Sequence, residues 1–297
     1  MSYTFEEFAL PDKDSGPYGL TCGKDGAIWF TEQKGNRIGR LAPDGTVTEF
    51  PVTAEEAGLS AIITAGDGTL WFSGYKAGII GRISVSGEMA EYPLPAAGSG
   101  PFGLAEGPDG AVWFTELTAN KIGRITPDGT IAEFELPLPG SFPSFIARGS
   151  DGAMWYTENQ GNRIGRITAA GEIAGYPLPS GQAGPVGITG GPDGALWFVE
   201  INGSRIGKIS TDGEITEYPL PDPEAKPHAI TAGTNGDMWF TEWGSNKIGR
   251  ITTAGHISEY AIPREKAEPH GLAVGPDGAV WFAQESGQIG RLTVRSF

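Results

Sequence analysis

Two of the three histidines in the chain combine with nearby acidic residues in a way that could support acid–base chemistry. His228 follows a proline, and His270 occupies the same position 42 residues later, directly after the pair Glu268-Pro269. A second acidic residue, Glu285, follows His270 in the sequence. An imidazole has an unperturbed pKa of about 6.5, so it can act as a base near neutral pH. These residues predict a site in which two carboxylates lie close to two imidazoles.

The same carboxylates are candidate metal ligands. Oxygen ligands with room for water suit Mg²⁺ or Mn²⁺, and Glu268 and Glu285 would supply them. Two histidines without an HExxH motif do not favour a zinc site. The alternative interpretation is that His228 and His270 are unrelated surface residues. The third histidine, His256, follows a turn glycine and is expected to be exposed.

A repeat of 42 residues determines where these side chains should lie. Self-similarity at a fixed interval indicates a repeat architecture. Each unit contains two glycine turns between short alternating apolar runs, which is typical of β-hairpins. Seven units of four strands predict an all-β protein, a seven-bladed β-propeller with four-stranded antiparallel blades, as a single domain over residues 1–297. The tryptophans that define the interval are Trp29, Trp71, Trp113, Trp155, Trp197, Trp239 and Trp281.

The two ends of the chain are expected to complete one blade together. The seventh unit has only the residues LTVRSF after Arg291, so it lacks an outer strand. The segment Phe5-Glu6-Glu7-Phe8 lies in the phase of an outer strand. We therefore expect the N-terminal strand to close the last blade, which would remove an exposed sheet edge.

Positions where the units differ mark the candidate site. Two rings of residues are predicted on one face of the disc, at the start of the innermost strand and near the end of the second strand. We expect the glutamates of the second ring to bond loop amides, and a deletion in blade seven to turn Glu285 inward. The first ring is Tyr18, Ser60, Phe102, Ser144, Val186, His228 and His270. The second ring is Glu32, Ser73, Glu116, Glu158, Glu200, Glu242 and Gln284.

Aromatic residues predict the kind of ligand that this face would bind. Tyr18 and Phe102 are expected at the entrance, and an aromatic rim suits an amphipathic or cyclic ligand. Trp243 is the only tryptophan outside the repeat. It could form an apolar wall for a ligand, with loop packing as the alternative. Cys22 lies on an innermost strand and is expected to be a small buried residue.

Composition excludes several other classes of protein. The net charge of −15 disfavours nucleic acid and anionic membrane as partners. No run of 18 apolar residues is present, and the N-terminal sequence lacks the features of a signal peptide. The single cysteine fits a reducing compartment. These features predict a cytoplasmic protein, and the closed ring predicts a monomer.

The sequence resembles the virginiamycin B lyase family over essentially its whole length. Pro227-His228, Glu268-Pro269-His270 and Glu285 carry the specific part of this resemblance. It implies a carbon–oxygen lyase that opens the lactone of a cyclic depsipeptide antibiotic by Mg²⁺-dependent elimination, which gives antibiotic resistance. It also implies that His270 is the general base, that His228 contacts the substrate, and that Glu268 and Glu285 bind the Mg²⁺.

Two other function classes remain open at the level of the sequence. One is a metal-dependent lactonase or other hydrolase on the same scaffold, and the other is a non-catalytic ligand-binding propeller. The mass of the product separates the two enzymes, because hydrolysis adds one water and elimination leaves the mass unchanged.

Overall fold

The computed structural model describes residues 2–295. These residues form seven antiparallel sheets of four strands each, which confirms the predicted seven-bladed β-propeller. Blades one to six follow one another along the chain. Within the described residues no helix is long and apolar enough to cross a membrane.

The two inner strands of each blade run in opposite directions beside the central axis. The innermost strands are β2 (Pro17–Cys22), β6 (Leu59–Thr64), β10 (Pro101–Glu106), β14 (Pro143–Arg148), β18 (Pro185–Gly190), β22 (Pro227–Ala232) and β26 (Pro269–Val274). The second strands are β3 (Ile28–Glu32), β7 (Leu70–Gly74), β11 (Val112–Glu116), β15 (Met154–Glu158), β19 (Leu196–Glu200), β23 (Met238–Glu242) and β27 (Val280–Gln284).

The two outer strands complete each sheet. The third strands are β4 (Arg37–Leu41), β8 (Ile79–Ile83), β12 (Lys121–Ile125), β16 (Arg163–Ile167), β20 (Arg205–Ile209), β24 (Lys247–Ile251) and β28 (Gln288–Arg295). The outermost strands are β5 (Val47–Pro51), β9 (Met89–Pro93), β13 (Ile131–Glu135), β17 (Ile173–Pro177), β21 (Ile215–Pro219), β25 (Ile257–Ala261) and β1 (Ser2–Ala9).

Strand β1 closes the ring as predicted. It pairs antiparallel with β28, with Phe5 opposite Leu292 and Phe8 opposite Ile289. Blade seven therefore joins three strands from the end of the chain to one strand from its beginning. The backbone groups on the outer edge of β28 are paired, so they do not offer a template for another chain.

The repeated tryptophans and glycines form the core, as the repeat predicts. Trp29 is fully buried and stacks on Phe50 at a ring-centroid distance of 5.6 Å. A Cβ atom on Gly39 would lie only 2.1 Å from the ring of Phe30, so this position has no room for a larger residue. Trp29 also packs in one cluster with Phe72 of the next blade. Burial of these aromatic side chains between blades is the main stabilising contribution to the ring.

Two details of the predicted pattern are wrong. Gly74, not Ser73, is the last residue of β7, because Gly74 pairs with Leu59 as Glu116 pairs with Pro101. Ser73 lies one residue earlier and its hydroxyl is 2.8 Å from that of Ser60. Cys22 is half-buried rather than buried, because it lies at the end of β2, where its thiol donates to the carbonyl of Val274 at 3.7 Å.

Candidate active site

The two predicted rings lie on the same face of the disc. In each blade the first residue of the innermost strand pairs with the last residue of the second strand, as Pro227 does with Glu242 and Pro269 with Gln284. The second residue of each innermost strand therefore lies at the mouth of the tunnel on the face where the second strand ends. This register brings residues from blades one, six and seven together.

Three rings form a compact cluster at this mouth. The imidazoles of His228 and His270 have centroids 4.8 Å apart and are nearly perpendicular, at 84°. The ring of Tyr18 lies 4.6 Å from that of His270 and 5.6 Å from that of His228. Both histidines are only 8% exposed. The predicted convergence of the two imidazoles is confirmed, and the interpretation of them as unrelated surface residues is wrong.

The protonation of His228 and Tyr18 follows from their burial. Burial lowers the pKa of His228 to about 3, and the neighbouring His270 adds to this effect. Burial, with a smaller contribution from the charge of Glu285, raises the pKa of Tyr18 well above its usual value. The Tyr18 hydroxyl and His228 Nε2 are 3.1 Å apart. A phenol that keeps its proton can donate to the neutral imidazole at this distance.

Glu285 contacts His270 directly. Its Oε2 lies 3.0 Å from His270 Nε2, and its Oε1 lies 2.9 Å from Nζ of Lys34. The hydrogen bond from His270 lowers the pKa of Glu285 to about 2 against the opposing effect of burial, and Lys34 lowers it further. An ionised carboxylate only accepts hydrogen bonds, so the Nε2 atom of His270 carries a hydrogen in this arrangement.

Glu268 lies beside Glu285 through the backbone. The amide of Glu285 donates to the carbonyl of Glu268 at 3.2 Å. Both glutamates also act electrostatically on Lys34, whose pKa is raised chiefly by its hydrogen bond to Glu285. Two carboxylates and one ammonium group thus share the edge of the mouth next to His270.

The carboxylates of Glu268 and Glu285 fit a cation that keeps several water ligands better than a cation surrounded by protein ligands alone. In the described part of the chain, no three His, Cys, Asp or Glu side chains form a group that could hold a metal ion by themselves. Mg²⁺ is commonly bound through one or two carboxylates while it keeps several waters. Glu268 and Glu285 could supply these carboxylates, and the ion would replace Lys34 as the cationic partner of Glu285.

The aromatic rim is partly as predicted. Phe102 contacts Tyr18 edge-on at 6.2 Å, which joins it to the imidazole cluster. Trp243 is 37% exposed and lies apart from that cluster, with Nζ of Lys226 5.7 Å from its ring centroid. His256 is exposed, as expected.

Sequence reasoning missed Phe145, which narrows the tunnel beneath the imidazoles. Its ring lies 5.3 Å from that of Phe102 and 6.2 Å from that of His228. It helps to line an apolar cavity of about 170 Å³ in the tunnel. The signal was present, because the equivalent residue of the other blades is always glycine or alanine, at Gly19, Ala61, Gly103, Gly187, Ala229 and Gly271.

Lys34 was also missed, although it lies in direct contact with Glu285. Its position in the loop after the second strand varies from blade to blade, so the sequence gives only a weak signal. The equivalent residues are Lys76, Thr118, Gln160, Asn202, Gly244 and Ser286.

The prediction that the glutamates of the second ring bond loop amides is wrong. Glu158 is fully buried and accepts a hydrogen bond from Arg163 at 2.8 Å. Neither carboxylate oxygen of Glu116 or Glu200 has a hydrogen-bond partner among the described residues. Burial is the main cause that raises the pKa of Glu116, Glu200 and Glu242 to about 7. These residues recur in most blades, so they belong to the scaffold.

Comparison with known proteins gives one consistent family. The model of the virginiamycin B lyase family matches residues 3–292. A segment of 47 residues is 54% identical to a virginiamycin B lyase of Bacillus licheniformis. This alignment spans 16% of the present chain and 16% of that curated relative.

Solved structures extend the similarity to nearly the whole chain. A streptogramin B lyase is 52% identical with a TM-score of 0.96, covering 99% of this chain and 98% of that one. A catalytically inactive H270A virginiamycin B lyase from Staphylococcus aureus, with quinupristin, is 50% identical with a TM-score of 0.96. That comparison covers 99% of this chain and 100% of the other.

Proposed function

The chain belongs to the virginiamycin B lyase family, and we propose that it inactivates streptogramin B antibiotics by linearising their cyclic depsipeptide ring. The observation that carries this proposal is the contact between His270 and Glu285 beside a second, neutral imidazole at the mouth of the tunnel. A base, an ionised carboxylate and an aromatic rim together suit an ester embedded in an amphipathic ring.

The proposed reaction is an elimination at the lactone. His270 takes a proton from the carbon next to the one that carries the ester oxygen. The electron pair of that C–H bond forms a carbon–carbon double bond, the carbon–oxygen bond breaks, and the acyl part leaves as a carboxylate. The ring is opened, no water is consumed, and the product has the mass of the substrate.

Nε2 is the nitrogen of His270 that we assign as the base. Nδ1 is buried and has no hydrogen-bond partner within the described residues. Nε2 lies next to Glu285, on the side of Lys34, which is 60% exposed. For the reaction, His270 adopts the other neutral tautomer, with its hydrogen on Nδ1 and a lone pair on Nε2, so that Nε2 accepts the substrate proton and the ring becomes an imidazolium. Hydrogen bonds of this kind in unliganded sites commonly rearrange when the substrate binds.

The neighbouring residues then have distinct roles. His228 remains neutral at pH 7, since burial lowers its pKa to about 3, and it contacts the substrate as a hydrogen-bonding group without charge. Tyr18, which touches both imidazoles, orients them and contributes to the substrate surface together with Phe102. Trp243 supplies an apolar wall farther out on the rim.

We propose Mg²⁺ as the cofactor, held by the carboxylates of Glu268 and Glu285. When bound, Mg²⁺ would stabilise negative charge that develops on the substrate as the proton leaves. The support from this chain is that the two glutamates adjoin and that one of them already binds a cationic group. We further propose that the protein acts as a cytoplasmic monomer without nucleic acid or membrane partners.

A similar protein supports the role of His270. The S. aureus virginiamycin B lyase with quinupristin is described as catalytically inactive in its H270A form. The present chain has a histidine at the same number, and the two chains align over nearly their full lengths.

Product mass tests the proposed function. The protein is incubated with a streptogramin B, with and without EDTA, and the product is examined by mass spectrometry. We expect a linear product of unchanged mass that forms only when Mg²⁺ is available. A product heavier by one water would instead indicate a hydrolase, and no product under either condition would favour a binding protein.

A further inference from the structure

A ring of left-handed residues surrounds the mouth of the tunnel. The residue before the first residue of each innermost strand has a positive φ, between 46° and 68°. This conformation disfavours any residue with a Cβ atom, so glycine is the expected occupant. Four blades have glycine there, but blades four, six and seven do not. The seven residues are Gly16, Gly58, Gly100, Phe142, Gly184, Lys226 and Glu268.

The three exceptions occupy equivalent places on the candidate site's face. The carbonyl of each of these seven left-handed residues accepts a hydrogen bond from the backbone amide of the first residue after the second strand. Phe142 bonds Asn159 at 3.0 Å, and Lys226 bonds Trp243 at 3.2 Å. The third member is Glu268, whose partner Glu285 contacts His270. Phe142 and Lys226 therefore border the same mouth as Glu268, from blades four and six.

Neither of the first two side chains is used to build the fold. Phe142 is 39% exposed and belongs to none of the hydrophobic clusters formed by residues 2–295. Lys226 is exposed, and the aromatic ring that its Nζ approaches is that of the exposed Trp243. Non-glycine residues in left-handed backbone are costly and cluster at functional sites. These two carry that cost without a packing contribution to the core.

We propose that Phe142 and Lys226 are substrate-specificity residues at the mouth, Lys226 in the blade next to His270 and Phe142 in blade four. Phe142 offers an apolar ring to side chains of the cyclic depsipeptide. Lys226 positions the face of Trp243 and donates hydrogen bonds to carbonyl oxygens of the depsipeptide ring. This inference rests on the proposed function and deepens it, because it assigns recognition of the ring to blades four and six.

The test separates two effects of each substitution, the relief of a left-handed backbone conformation and the loss of a side chain that contacts substrate. The variants are Phe142→Gly and Lys226→Gly, with Glu56→Gly as the matched control. Glu56 is also left-handed, with φ of 43°, and is exposed two residues before a ring glycine. A further variant, Phe142→Ala, removes the ring but keeps a Cβ atom in the strained conformation. Melting temperature, kcat and KM are measured for each with a streptogramin B and Mg²⁺.

We expect all three glycine variants to melt about 2 °C higher, because each relieves one left-handed residue. Phe142→Gly, Phe142→Ala and Lys226→Gly should raise KM roughly tenfold with kcat nearly unchanged, as when a uniform binding contact is lost. Glu56→Gly should leave KM at the wild-type value. A merely structural role would change melting temperature without this change in KM.

Three outcomes overturn the inference. An unchanged KM in Phe142→Gly and Lys226→Gly, with active wild type, shows that these side chains do not contact substrate. A lower melting temperature in both variants shows that they stabilise their loops. If the wild-type protein neither binds nor converts a streptogramin B, the proposed function itself fails and this inference fails with it.

Discussion

Nζ of Lys34 lies 2.9 Å from Oε1 of Glu285, so a residue of blade one binds the carboxylate that contacts the imidazole of blade seven. The other oxygen of Glu285 lies 3.0 Å from His270 Nε2. Glu285 therefore bridges the ammonium group of Lys34 in blade one and the proposed base His270 in blade seven. The same carboxylate is a proposed ligand of Mg²⁺, so the ammonium group and the metal ion would compete for it.

Removal of Lys34 should strengthen Mg²⁺ binding. In Lys34→Met the carboxylate of Glu285 has no ammonium partner to displace, so we expect the Kd of Mg²⁺ to fall roughly two- to fivefold, as for loss of an exposed ion pair. Calorimetric titration of the protein with Mg²⁺ alone measures this change. Lys76→Met, the equivalent change in blade two, is the control and should leave the Kd unaltered. Weaker Mg²⁺ binding in Lys34→Met would contradict the competition.

His228 should make the folded protein less stable in acid. Its pKa is about 3 in the folded protein and about 6.5 when unfolded, so between these values only the unfolded chain binds this proton. The free energy of unfolding should therefore fall as pH decreases below about 6.5, by up to about 1.4 kcal/mol per pH unit from this residue.

Denaturant unfolding of wild type and His228→Gln at pH 7 and pH 4.5 tests this linkage. Relative to wild type, the free energy of unfolding of His228→Gln should be higher at pH 4.5 than at pH 7. His256→Gln is the control, because His256 is exposed and away from the cluster. Parallel loss of stability in wild type and His228→Gln would show that His228 is not held neutral.

The buried glutamates should have the opposite effect on the pH dependence of stability, because they destabilise the folded protein as pH rises. Burial, followed by the charge of Glu133, raises the pKa of Glu116 to about 7, from an ordinary value near 4.5. The folded protein then holds this proton more tightly than the unfolded chain, and the resulting stability is lost as pH rises through about 7. Glu116→Gln should therefore be more stable than wild type at pH 8, by about 2–3 kcal/mol, with a smaller difference at pH 5.

Glu158→Gln provides the matched control for that change. Glu158 occupies the same position in blade four but accepts a hydrogen bond from Arg163, which the substitution weakens. We expect no gain in stability at pH 8 for Glu158→Gln. Equal gains in both variants would mean that the unpaired oxygens of Glu116 do not cause the effect.

The repeat made most of the fold predictable from sequence. The tryptophans and glycines of the core, such as Trp29 and Gly39, recur in the repeat because each blade can bury its two faces only against the neighbouring blades. The convergence of His228 and His270 also followed, since equivalent positions in adjacent blades must lie side by side. Rotational equivalence is thus enough to bring residues together that are 42 positions apart.

The contacts within the site were harder to predict, because the repeat gives a position but not the direction of a side chain. The contact between Lys34 and Glu285 crosses the ring closure and joins residues far apart in sequence. The partners predicted for the glutamates of the second ring are wrong, since the surroundings of these carboxylates depend on the third and outer strands. Phe145 was predictable in principle, because a bulky residue replaces glycine or alanine there.

Turnover by His270→Ala tests the central claim that His270 takes the substrate proton. The measurement is the rate of loss of a streptogramin B in the presence of Mg²⁺, with His256→Ala as the control for loss of an exposed histidine. We predict that His270→Ala is about 10²–10⁴-fold slower than wild type, the usual effect of removing a general base, while His256→Ala keeps wild-type activity. Wild-type turnover by His270→Ala would contradict the account.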